Sequence, residues 1–324
     1  MGKDHGAAMI FRILILVFFA CTTLQAQVES RLAGLPGAPF RLGFGAPGMS
    51  FGNAAASALK FSQTAYYNPA LVPFQQRASA DLSAGFLSLD RHIAFLTYGS
   101  PIRPSGGFAI SVITAGVSDI EQRDSDGQPT GTTSTSENSF LLSFGVKVSP
   151  RVAVGISTKI LYYKLFTDIH STTVGFDFGL LYLLSDEFSV AVVLQDVGSN
   201  YKWDTTKLYG LSGNTTRDFF PVRRKLGVSY SPTSLPIVAA AELENLGGVT
   251  LLRSGVSVGI LPEFLIQAGI DQIDLSEAIP AKPAIGFTVQ TLIADWPTRL
   301  HYAFMVEPYS PSGLHVVSLG VVFK

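Results

Sequence analysis

Residues 43 to 48 read Gly-Phe-Gly-Ala-Pro-Gly, which fits G-x-G-x-x-G, the loop that cradles a dinucleotide pyrophosphate on backbone N–H groups. That chemistry needs a strand before the loop, a helix opening at its end and a carboxylate about 20 residues later. Here Leu35-Pro-Gly-Ala-Pro-Phe-Arg-Leu42 precedes it, broken by two prolines, and Phe61 to Ala65 hold no acid. Nucleotide binding is not expected. Asp177, Asp271, Lys147, Lys159 and His301 carry the other groups that could move protons, on segments where they should point to an interior. No nucleophile, base and orienter can be named among them, and no H-E-x-x-H or other paired metal-ligand spacing occurs among the five histidines. No catalytic residue, metal site or cofactor is assigned.

The glycines therefore need another use, and the elements around them decide it. Only 15% of the 324 residues are charged and the net charge is −1, against about 25% charged in ordinary soluble domains. No basic surface exists to gather phosphates, so a nucleic-acid partner is not expected. Lys3 and Arg12 precede a short apolar run, Ile13 to Ala20, and Leu24-Gln25-Ala26 closes it. That is a secretory-signal layout, with residues 1–26 expected to be cleaved and the one cysteine, Cys21, removed with them. Beyond it no apolar stretch is long enough for a spanning helix.

The remaining apolar residues alternate. Val174, Phe176, Phe178, Leu180 and Tyr182 share one face of their segment, with Gly175, Asp177 and Gly179 opposite. Period two with Gly and Asp between aromatics fits a strand and defeats a helix. Fourteen such runs follow one another from 78–88 to 313–323, most of them about 9–14 residues long, which suits tilted membrane strands. The connections 118–136 and 199–220 are long, whereas those at Pro150, Asp186 and Pro262 are tight turns. The predicted fold is all-β: a fourteen-stranded antiparallel transmembrane outer-membrane β-barrel over residues 77–324, in contact with lipid. An even strand count puts both chain ends on the same, periplasmic, side.

A fourteen-stranded barrel encloses more space than its own side chains fill. Residues 27–76 are the expected plug, with its body at 40–76: a Gly/Ala-rich segment with a short helix at 54–60 and a turn at Tyr67-Asn68-Pro69-Ala70.

Gly48-Met49-Ser-Phe-Gly52-Asn-Ala54, followed by Tyr66-Tyr67-Asn68-Pro69-Ala70-Leu71, resembles the N-terminal signature of the PorV/PorQ family, within the wider FadL-type group of outer-membrane barrels. Gly48, Met49, Gly52, Asn68, Pro69 and Ala70 carry the resemblance; Tyr67 stands where Trp is commoner. The resemblance implies a plug, a Bacteroidetes-like outer membrane and a non-enzymatic part in type IX protein secretion, binding cargo or surface partners. FadL-type relatives instead pass hydrophobic small molecules. For a protein partner, Tyr201, Trp203 and Tyr209 in the second long connection form a candidate binding loop, or anchor the rim. For a hydrophobic ligand, apolar residues must face the lumen; Leu161, Leu181 and Leu265 do so but lie scattered along the chain.

Overall fold

The structure, a computed structural model, describes residue 32 and residues 34–59, 64–274, 279–308 and 310–324. The expected signal segment lies outside the described residues. Among the described residues sixteen strands form in chain order: β1 Ser79–Phe86, β2 Arg91–Ile102, β3 Gly106–Arg123, β4 Pro129–Ser149, β5 Val152–Phe166, β6 Ile169–Leu183, β7 Phe188–Val197, β8 Asn200–Asp204, β9 Thr215–Phe219, β10 Arg223–Tyr230, β11 Ile237–Leu246, β12 Val249–Leu261, β13 Phe264–Asp274, β14 Lys282–Ile293, β15 Trp296–Met305 and β16 Leu314–Val322. Fourteen of them close an antiparallel barrel, with β1 paired to β16; β8 and β9 form a separate hairpin. Closure removes every sheet edge at membrane depth, so backbone polar groups are paired without water.

The pleat sorts side chains as the alternation requires. Leu82, Leu96, Phe144, Phe178, Ile285 and Val317 are exposed on the outer surface, while their chain neighbours Ser83, Thr97, Ser143, Asp177 and Ser318 are buried inside. Apolar outside and polar inside reverses a soluble sheet, and only a hydrocarbon surround makes that favourable. Aromatics gather on the outer face near the barrel's turn end, where the chain's C-terminus and the tight reversals lie. Phe323 meets Trp296 at 5.4 Å and Tyr98 at 5.9 Å between ring centroids. Such a girdle suits the boundary between lipid and water.

The expected long loops are largely strand. β3 and β4 keep pairing from Val117↔Thr135 out to Arg123↔Pro129, so residues 118–136 are a projecting hairpin. Thr132, Thr133 and Thr135 suit this extended backbone. The second connection folds as the β8–β9 hairpin with a helical turn at Thr206–Tyr209. These connections mark the hairpin end of the barrel, opposite the turn end.

The N-terminal segment runs through the lumen from one end to the other. Leu35 approaches Gly247, and Gly37 lies against Phe220, both at the hairpin end; Gln75 bonds Ser79 and Gly99 at the turn end. The barrel's own ends share one side, but the described start of the chain lies at the other.

Candidate functional site

Within the lumen the segment makes a helical turn at Thr64–Tyr67 and a short helix at Ala46–Ser50, entered from Gly45 and carrying Pro47 in its first turn. Proline is tolerated there because its missing N–H would be unpaired anyway. The helix expected at 54–60 does not form over the described residues 54–59, which are turns. Asn53 holds a positive φ of 58°, and the Ala56 N–H is drawn out to Glu242 Oε2 at 3.2 Å. That wall contact outcompetes alanine's local preference.

Asn68 is the second organising residue. Its backbone is extended, as the following proline demands, and its side-chain oxygen accepts the Ala70 N–H at 2.8 Å, capping the 3₁₀ helix Pro69–Phe74. Its amide donates to the Ala56 carbonyl at 2.8 Å. Tyr67 joins the two halves of the segment: its hydroxyl lies 3.0 Å from the Phe44 carbonyl and 2.8 Å from Asn53 Oδ1.

The wall is shaped to this segment by missing side chains. A methyl at Gly155 would come within 2.3 Å of the Pro69 carbonyl carbon, and one at Gly179 within 2.0 Å of Asn68 Oδ1. Across the lumen, a methyl at Gly255 would meet the Phe51 carbonyl oxygen at 2.2 Å, and one at Gly269 would meet Gly52 N at 2.3 Å. Two glycine troughs, one on β3–β6 and one on β12–β14, thus receive the segment's backbone, and side chains there would exclude it.

Charge fixes the β10–β13 side. Arg223 bonds Glu244 at 2.6 Å, Lys225 lies 3.3 Å from Glu242, and Arg253 reaches Glu242, Glu244 and Asp271 together. Asp271 also accepts from Asn53 of the segment at 2.9 Å. A second buried knot joins Lys159 to Asp177 at 2.8 Å and to Asp196 at 2.7 Å. The β2–β5 side contrasts with this. Towards the hairpin end it presents Ile93, Phe95, Ile113, Leu141 and Leu161, which pack with Phe44, Tyr66 and Tyr67 of the segment. Towards the turn end it carries hydroxyls paired across strands, Thr97 with Ser111 and Ser143 with Ser157, both at 2.7 Å.

Three sizeable cavities remain among the described residues. One of about 250 Å³ lies at the hairpin end, lined by Leu42, Leu87, Ile93, Ala115, Val117 and Tyr163 together with Arg91, His92, Glu137 and Glu307. Two more, of about 290 Å³ and 280 Å³, lie at the turn end and share Arg299. Lys147 faces inward over the Phe74 ring at 4.2 Å, and His301 bonds Thr288 at 2.7 Å.

Gly48, Met49, Gly52, Asn68, Pro69 and Ala70 are all buried inside the lumen. Gly48 admits the Tyr67 hydroxyl, and Met49 packs on Ala303, Met305 and Leu314. Leu161 and Leu181 are packed against the segment or its neighbours, and Leu265 lines a turn-end cavity. The candidate partner loop is divided. Tyr201 and Trp203 occupy the inner face of β8, buried against Tyr163 and Phe220, so these two form no exposed recognition patch; Tyr209 alone of the three is exposed. Their spacing of two, on a strand, is the sequence signal for this inward turn. Tyr201 donates to Glu137 at 2.5 Å, and burial together with that carboxylate pushes its phenol far above the usual range. The sequence reading missed the aromatic cluster, because its members come from segments far apart in the chain.

A scan of protein families matched none, and a search of curated proteins returned no relative. Solved structures do match. The chain is similar to the CymD monoaromatic hydrocarbon channel, with 11% identity and a TM-score of 0.61, over 87% of this chain and 98% of that one. The toluene transporter TodX of P. putida aligns with 14% identity and a TM-score of 0.59, over 87% and 99%. A Pseudomonas aeruginosa FadL homologue aligns with 10% identity and a TM-score of 0.59, over 86% and 98%. The chain has the FadL-type fold. Identity this low speaks for the fold alone.

Proposed function

We propose that the protein is an outer-membrane channel for small apolar molecules, its lumen narrowed by the N-terminal segment acting as a plug. The hairpin end would face the exterior and the turn end the periplasm, following the usual asymmetry of such barrels. The observation that carries this reading is the mainly apolar cavity of about 250 Å³ at the hairpin end, bordered by Ala38, Pro39 and Leu42 of the segment. An apolar cavity of roughly 150 Å³ already holds a benzene-sized molecule, so this one suits a single ring better than a long acyl chain. The channels of like fold named for toluene and monoaromatic hydrocarbons support the same class. Uptake of radiolabelled toluene into cells whose outer membrane carries the protein tests it. A rate no faster than in cells with an empty vector would sink it.

A second reading keeps the PorV/PorQ resemblance: a component of type IX secretion in a Bacteroidetes-like outer membrane, holding cargo or surface partners. The letters at positions 48–71 favour it, and the projecting polar hairpin 118–136 is the surface it would use. Co-purification from intact outer membrane separates the two. Recovery of secretion components with no toluene uptake favours the second, and uptake by a solitary barrel favours the first.

A further inference from the structure

The cavity of the hairpin end and one of those at the turn end both border the wall formed by β1 and β2. Inward positions of β1 run Gly85, Ser83, Asp81, with Leu87 just past its end, and those of β2 run Arg91, Ile93, Phe95, Thr97, Gly99. Leu87, Arg91 and Ile93 line the 250 Å³ cavity; Asp81, Thr97 and Gly99 line the 290 Å³ one. Between them, at Ser83, Gly85, Ile93 and Phe95, the space shrinks to about 10 Å³, at the limit of what admits a single water. The residues that shrink it are Gly43, Phe44, Gly45 and Met49 of the segment.

We infer that a passage runs down the β1–β2 wall between the two cavities, and that the Phe44 side chain sets the size of molecule that can use it. This rests on the channel reading above. Two features make Phe44 the movable part. Its ring is held by ring contacts, to Tyr66 at 4.7 Å and Phe95 at 5.2 Å, with no polar tie of its own. Its backbone is flanked by Gly43 at φ 96° and Gly45 at φ 79°, conformations that glycine leaves at little cost. The rest of the segment is anchored differently. Its backbone fills glycine troughs on β3–β6 and β12–β14, where displacement would open voids, whereas no such trough faces it at the constriction on β1–β2. The Tyr67 hydroxyl, 3.0 Å from the Phe44 carbonyl and accepting its N–H at 3.4 Å, is the positioning residue that holds the hinge shut. The glycines at 43 and 45 thus serve a ring between two hinges.

The test compares wild type, Phe44→Ala and Tyr67→Phe in the full chain, each checked for barrel folding by heat-modified gel migration. Two probes are used: radiolabelled toluene, and the larger fluorescent N-phenyl-1-naphthylamine. Expected is a several-fold rise in uptake of the larger probe relative to toluene for Phe44→Ala. A smaller rise in the same ratio is expected for Tyr67→Phe, which keeps the ring and loses the tie. Single-channel conductance in planar bilayers should rise in the same order. An unchanged probe ratio with unchanged conductance in both variants overturns the inference, even where wild type carries toluene. Wild type that carries no toluene, with conductance raised in both variants, overturns the channel reading and leaves the constriction supported. Should Phe44→Ala fail to fold, the probe ratio of Tyr67→Phe decides.

Discussion

On the β10–β13 side of the lumen the N-terminal segment meets a lattice of full charges; on the β2–β5 side, Glu137 and Lys159 apart, it meets aliphatic, aromatic and hydroxyl groups. Arg253 on the first side bonds three carboxylates, one of which also holds Asn53 of the segment. On the second side, side-chain contact with the segment at the level of Phe44 is by rings and methyl groups, with hydroxyls satisfying one another in pairs nearer the turn end. The segment is fixed on the first side and can yield on the second. Ion pairs in a dry interior are stringent about geometry, because losing one partner strands the other. Ring contacts tolerate sliding, since dispersion is non-directional. The constriction at Phe44 lies on the tolerant side.

The comparison is broken most severely at Arg253. Arg253→Met removes one cation and leaves Glu242, Glu244 and Asp271 buried, with Arg223 and Lys225 as the cations still paired to them and Asn53 and the Ala56 N–H as neutral donors. Breaking a buried pair this way costs about 3–5 kcal/mol. The expected outcome is loss of the folded, heat-modifiable band, or a sharply lowered unfolding temperature in detergent. An unchanged temperature would show that water already screens this wall. The glycine troughs are next. Gly155→Val drives a methyl into the Pro69 carbonyl, an overpacking that costs about 1–3 kcal/mol where the neighbour cannot move. The barrel should close while the Asn68-Pro69-Ala70 turn is displaced, so conductance in planar bilayers should rise.

Much of this contrast is readable in the sequence, but unevenly. The fourteen strands are legible because lipid imposes period two on every spanning segment, and Val174 to Tyr182 shows it without any context. Arg223 and Lys225, and Glu242 and Glu244, sit two apart and so announce charged inner faces. Their pairing depends on the register of β10 with β11, which no local pattern gives. Glycines 107, 145, 155 and 179 read as weak points in strands; only the threaded segment shows them to be its footprint. Gly48 and Asn68 were legible through a motif, whereas Phe44 was hidden inside a false nucleotide signature. Ala54 to Leu59 misled for a physical reason: helix preference in five or six residues is weaker than one bond to a buried carboxylate.

The cap of the hairpin end sharpens the comparison at lower energy. Tyr201→Phe removes the 2.5 Å bond to Glu137 and leaves a buried carboxylate short of a donor, a cost of about 1–3 kcal/mol. Limited proteolysis within 204–215 should become faster while barrel stability stays unchanged. The same bond predicts a pH effect. The folded phenol titrates above its unfolded value because burial and Glu137 oppose the phenolate. The stability it contributes is therefore complete below about pH 10, the unfolded phenol value, and falls as pH rises beyond it. Faster cleavage above pH 10 in wild type, absent in Tyr201→Phe, is the expected pattern. Equal cleavage of the two at every pH would detach Tyr201 from the cap.

The smallest effect lies in the paired hydroxyls, and it tests whether the β2–β5 wall is as forgiving as its chemistry suggests. Ser143 and Ser157 are both fully buried and share one hydrogen bond at 2.7 Å. Ser143→Ala strands the Ser157 hydroxyl, a loss of about 1 kcal/mol. The double variant Ser143→Ala/Ser157→Ala strands nothing, and replacing both partners of a hydrogen bond by apolar groups is close to neutral. Unfolding temperatures should therefore order as wild type, then double variant, then single variant. An ion-paired wall cannot behave this way, because no second substitution neutralises what Arg253 leaves behind among three carboxylates. If the double variant is instead less stable than the single one, the hydroxyls bond groups beyond each other, and the β2–β5 wall is as exacting as its opposite.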